Sequence, residues 1–115
     1  MTTTARRIGS EAETKVVGAF RRCFPTAERR VTNGAKDRGD MAGVPDLTCE
    51  IKGGKQLLLG PWMDEAEKER TNAGTTWTCV AHKRRLKGNA DDWFVTIRLG
   101  DFVDLYSSYL EGRAR

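Results

Sequence analysis

Long hydrophobic runs are missing from this chain of 115 residues. No apolar stretch approaches the roughly 20 residues that span a bilayer, which excludes membrane insertion by a helix. Histidine occurs once, at His82, so no histidine-rich metal site is available. Cysteine occurs three times, at Cys23, Cys49 and Cys79, with no CxxC pair and no Cys/His group at zinc spacing. An odd, scattered set is a poor disulfide framework. All three fall on apolar faces of the expected elements, which reads as reduced, buried thiols in a cytosolic protein. Internal repeats, low-complexity tracts and linkers are also lacking, and the length suits one domain with its own core.

Charge is plentiful. Twenty Lys and Arg face sixteen Asp and Glu, a net charge of +4. The excess is modest, and its distribution says more than its sum. Basic residues gather in Arg6-Arg7, Arg21-Arg22, Arg29-Arg30 and the run from His82 to Lys87, while acids gather near the expected hairpin and in the expected second helix. Basic patches of this kind suit a polyanionic partner.

Residues 1–7 show no periodicity and are expected to form a flexible basic arm, with a single domain over 8–115. Ala12, Val16, Ala19, Phe20 and Cys23 then recur on one helical face, with Ser10 as N-cap and Pro25 beyond the end. Residues 27–33 alternate weakly as an edge strand, closed by a turn at Asn33-Gly34. A hairpin is expected next: Arg38–Val44, a turn at Pro45-Asp46, then Leu47–Lys52. A second helix runs from Trp62 to about Asn72, with Pro61 in its first turn and Gly74 behind it. Strands follow at Thr76–His82 and Trp93–Leu99, separated by a basic loop, and a helix over Asp101–Leu110 closes the chain. The order α-β-β-β-α-β-β-α, with a strand–helix–strand crossover, predicts an α/β fold with helices flanking a mixed sheet.

Within the hairpin, side chains alternate with period two. Leu47, Cys49 and Ile51 face the core, whereas Glu50 and Lys52 share the reverse face. An acid and a lysine there, with Asp40 on the preceding strand, form the smallest set that holds a hard cation and stabilises a developing anion beside it. Glu-x-Lys pairs are also common on solvated strand faces, so the triplet alone carries little weight.

The arrangement resembles the PD-(D/E)XK nuclease superfamily, whose signature is an Asp on one strand and Glu-x-Lys on the next, here Asp40, Glu50 and Lys52. The wider string is similar to small phage and archaeal Holliday junction resolvases. Gly9-Ser10-Glu11-Ala12-Glu13, Gly39-Asp40 and Glu50-Ile51-Lys52 occur in the order that family shows, over residues 8 to 83. The resemblance implies a restriction-endonuclease-like core, a Mg²⁺ cofactor (Mn²⁺ substituting), cleavage of branched DNA such as four-way junctions, and a homodimer. It also implies the cytoplasm, that of the host if the gene is a phage's. Asp40, Glu50 and Glu13 would be the metal ligands and Lys52 the fourth catalytic residue. Glu11 is the alternative to Glu13, whose other reading is a capping box with Ser10.

Pro45-Asp46 spells the literal "PD", yet Asp46 lies about 13 Å along the strand from Glu50, too far to share an ion. Asp40 can sit across from Glu50, which leaves Asp46 as a turn residue. Lys36, Arg38, Lys55, Lys83, Arg84, Arg85 and Lys87 are the candidate phosphate contacts. A nuclease acting on flaps, nicks or DNA in general, and a DNA-binding module without catalysis, are the competing readings.

Overall fold

A computed structural model of the chain describes residues 3–30 and 37–113. Helix α1 spans Thr3–Arg21 and buries Ala12, Val16 and Val17. It begins well before Ser10, so residues 3–7, expected to lie outside any element, are helical. Nothing between Ala5 and Ile8 breaks a helix, and the favourable i,i+4 pair Arg7–Glu11 bridges its early turns at 3.8 Å. Ser10 is therefore interior to the helix, and its carbonyl accepts a bond from Thr14 Oγ1 at 3.0 Å. Cys23 lies beyond the helix end and is exposed, contrary to the expectation of three buried thiols. The turn that Phe24 N–H closes onto the Phe20 carbonyl carries Cys23 off the apolar face.

Strands β1 (Glu28–Arg29) and β2 (Met41–Ala42) pair antiparallel as a small separate sheet. The expected strand over Arg38–Val44 is thus only two residues long, and it forms no ladder with its neighbour. Gly39 and Gly43, at φ of 89° and 84°, turn the backbone out of the extended region on either side of it. A backbone–backbone bond from Asp40 N–H to the Cys49 carbonyl, at 2.9 Å, links this segment to the main sheet. The Asn33-Gly34 turn falls outside the described residues.

The main sheet has the order β3-β4-β5. Strand β3 (Leu47–Lys52) pairs parallel with β4 (Trp77–His82), from Leu47 opposite Trp77 to Lys52 opposite His82. Helix α2 (Leu59–Ala73) makes the crossover between them and ends at Gly74, whose φ of 73° supplies the left-handed cap. Strand β5 (Phe94–Thr96) pairs antiparallel with β4. It is shorter than expected because Leu99 already opens helix α3 (Leu99–Arg113). The fold is the mixed α/β arrangement that the order of elements predicts.

Period-two alternation divides the core in two. Cys49, Ile51, Cys79 and Ala81 pack with the buried face of α1. Val80 packs on the opposite side with Trp62, Met63 and Ala66 of α2. A Cβ added to Gly53 would stand 2.7 Å from that of Ala12, so α1 crosses close to the end of β3. Among the described residues, no helix is long and apolar enough to cross a membrane.

Candidate metal centre

Glu50 and Lys52 point to the α2 side of β3, as alternation requires. Glu50 is only 5% exposed. Its Oε2 takes an ion pair from Lys52 Nζ at 3.0 Å, and its Oε1 is buried without a hydrogen-bond donor. Helix α2 supplies two further acids. Glu69, 1% exposed, has neither carboxylate oxygen paired. Glu65 accepts from Lys52 Nζ at 2.9 Å. Asp37 completes the group, held by Asn72 Nδ2, which donates to its carbonyl at 2.8 Å, and by Gly39 N–H, which donates to its carboxylate at 2.9 Å. One oxygen from each of Asp37, Glu50, Glu65 and Glu69 lies within 4.8 Å of the others.

Four carboxylates against one ammonium is an unbalanced set, and the titration behaviour shows the imbalance. Burial, then the facing Glu69 carboxyl, raises Glu50 to about 8. Burial, with Asp37 and Glu65 nearby, raises Glu69 to about 8. Buried carboxylates without donors are costly, and proteins ordinarily pair them with a donor or a cation. The oxygen-only donor set suits a hard divalent ion. Opposed oxygens around Mg²⁺ lie about 4.2 Å apart, so the group needs little contraction to close on one. A cation of this class fits the residues present.

Asp40 lies beside this group but outside the set of four. Its Oδ2 accepts from Ile51 N–H at 2.7 Å, which fixes the carboxylate against the strand that carries Glu50 and Lys52. Burial and the charges of Glu50 and Glu13 raise it to about 8. Gly39 makes this approach possible: a Cβ there would stand 2.8 Å from Thr48 Cγ2. Glu13 is close enough to act on Asp40, yet its own carboxylate is paired with Arg29, whose Nε donates at 3.0 Å. Glu11 is exposed and pairs with Arg7. Burial lowers the Lys52 pKa, but its bonds to Glu65 and Glu50 outweigh this and hold the ammonium charged above its usual range.

The chain matches no protein-family model, and no curated protein or solved structure shows significant similarity to it.

Asp46 is a turn residue, at φ 59°, and its carboxylate accepts from Thr76 N–H at 2.7 Å. His82 is buried, hydrogen-bonded to Thr96 Oγ1 at 2.8 Å and packed between Trp62 and Phe94. Arg38, Lys55, Lys83, Arg84, Arg85 and Lys87 are exposed. The loop carrying the last four starts at the candidate site, since Lys83 N–H donates to the Lys52 carbonyl at 2.9 Å. Lys36 lies outside the described residues. Asp37, Glu65 and Glu69 are the residues that the motif does not name. Glu69 had a signal in the sequence: it falls seven residues after Trp62 and three after Ala66, an acid on the apolar stripe of α2.

Proposed function

We propose that this chain is a Mg²⁺-dependent DNA endonuclease of the PD-(D/E)XK type that cuts branched DNA, with the four-way junction as its preferred substrate. One observation carries the reading. The buried, donorless oxygens of Glu50 and Glu69 converge with Asp37 and Glu65 beside a charged lysine, where an exposed basic loop begins. A pure binding module has no use for buried acids facing a polyanion.

In this reading Glu50 and Glu69, with Asp37, Glu65 and Asp40 around them, hold the cation. Bound Mg²⁺ neutralises the phosphate and favours a nucleophilic water. Lys52 stays protonated, so its ammonium stabilises negative charge on the phosphate and does not act as the base. Ile51 N–H orients Asp40. Arg38, Lys55 and the Lys83–Lys87 loop grip the flanking phosphates, which supplies affinity without sequence preference. Resolving a junction takes two cuts, so the working unit is a homodimer.

The test is cleavage of a labelled four-way junction beside linear duplex, flap and single-stranded DNA, with Mg²⁺ or EDTA, for wild type and Asp40→Asn. Paired nicks in the junction alone, lost with EDTA and in the variant, support the reading in full. Cutting of every substrate keeps the nuclease and removes the junction preference. Binding without any cutting overturns the enzyme.

A further inference from the structure

Helix α3 buries none of its residues among the described part of the chain, yet it is amphipathic. Leu99, Phe102, Tyr106, Tyr109 and Arg113 recur at a strict 3-4-3-4 spacing, the seam of a two-helix coil. Val103, Leu105 and Leu110 flank it. The apolar residues of seam and flanks are between 41% and 76% exposed. Gly100, Asp101, Asp104, Ser107, Ser108 and Glu111 form the opposite, polar face. An isolated helix of this length is marginal in water even in a favourable sequence. This one carries two glycines, two serines and several β-branched or aromatic residues, all weaker helix formers. Its near end is tied to α2 through Arg98, whose Nε lies 3.2 Å from Glu67.

We propose that the seam of α3 pairs with α3 of a second copy of this chain, antiparallel about a two-fold axis near Tyr106. Two features point to a second copy. The seven apolar side chains present several hundred Å² of contiguous surface, comparable with the ~800 Å² that each partner contributes to a standard interface. The seam is also self-complementary in one orientation only. A parallel pair would set Arg113 against Arg113. An antiparallel pair separates the two Arg113 side chains by the length of the helix, lays each stem over Leu99 of the other copy, and opposes the helix dipoles. The exposed ring stack of Phe102, Tyr106 and Tyr109 has spacings of 6.2 and 6.3 Å, and on a basic surface it would suit nucleobases. Here the helix itself carries three acids, Asp101, Asp104 and Glu111, against the single cation Arg113, which disfavours a polyanion.

The pairing gives the homodimer of the nuclease reading a surface, but it rests on α3 alone and is measured without DNA or cation. The two ideas therefore fail separately. Sedimentation equilibrium of the full chain should give a mass near twice the 12.9 kDa of one chain at micromolar concentration. Tyr106→Lys, which sets two ammoniums face to face at the axis, should raise the dissociation midpoint roughly tenfold or more. Asp104→Lys, on the polar face, should leave it near wild type. Circular dichroism of Tyr106→Lys checks that the main sheet survives. In a Cys23→Ser background, Leu99→Cys mixed with Arg113→Cys should cross-link between the two variants. Self-linking of Leu99→Cys would overturn the antiparallel register. A wild-type monomer at high concentration would overturn the pairing, and so would a Tyr106→Lys variant that dimerises normally but loses single-stranded DNA.

Discussion

The acid cluster beneath α2 and the outer face of α3 break the usual partition of side chains in opposite directions. The acid cluster buries Glu50 Oε1 and both Glu69 carboxylate oxygens without donors, whereas α3 exposes Leu99, Phe102, Tyr106 and Tyr109 without cover. Each costs free energy in the isolated chain, one through desolvated charge and the other through hydrated apolar surface. The signs of the two departures differ, and so do the partners they call for: a cation in the first case, a matching apolar surface in the second. In both, what is out of place in the single chain indicates what completes it.

The largest expected effect separates the two regions by activity. Glu50→Gln and Lys52→Met should each lower junction cleavage by about 10²–10³-fold, the loss seen when a charge-stabilising group is removed. Asp104→Lys should leave cleavage near wild type. A quench-flow or gel assay under single-turnover conditions reads this, and near-wild-type cleavage by Glu50→Gln would end the catalytic role of the acid cluster.

Next is the pH dependence of stability. Asp40, Glu50 and Glu69 are each raised by burial to about 8. Between the unfolded values near 4 and these folded values, the native state holds more protons than the unfolded one. In EDTA, the melting temperature should therefore fall as pH rises from 5 to 8. A divalent cation binds the ionised form, so Mg²⁺ or Mn²⁺ should raise the melting temperature more at pH 8 than at pH 5. Scanning calorimetry at both pH values checks the sign. A cation effect that is absent or reversed would mean the acids are balanced in another way.

A smaller effect comes from Glu69→Gln. At pH 8 and above, where this carboxyl ionises, removing one buried charge should raise the melting temperature in EDTA by several degrees, on the order of what 1 kcal/mol is worth in a small domain. The same change should weaken stabilisation by Mn²⁺. Stability gained where metal response is lost is the pattern of a functional site. Smallest is the basic loop: Arg84→Ser with Arg85→Ser should reduce the salt slope of DNA binding by about 2, with little change in cleavage once DNA saturates.

Much of this was legible in the sequence wherever period alone decides. β3 is legible because Leu47, Cys49 and Ile51 alternate with Glu50 and Lys52, β4 because Trp77, Cys79 and Ala81 alternate with Thr78, Val80 and His82, and α2 because Pro61 marks its first turn and Gly74 its end. The second strand did not read correctly: the positive φ of Gly39 and Gly43 interrupts it, and glycine identity alone does not say which sign of φ is used. Residues 3–7 were taken for an arm because their polar composition masks helical continuity. Glu69 was passed over because, in a linear reading, an acid on an apolar stripe looks like an interruption. Only the fold shows that this stripe faces Glu50 on the same side of the sheet.

The alternation within β3 also constrains how this gene can vary. Adding or deleting one residue between Leu47 and Lys52 would exchange the two faces, turning Glu50 and Lys52 toward α1 and the apolar row into the acid cluster. Length changes are tolerable in the segments that follow β3 and β4, 53–58 and 83–89, which border the site without belonging to a strand. Related chains should therefore keep the parity of this strand invariant and diversify by insertion in those two loops, so that the borders of the acid cluster vary while the cluster itself stays in frame.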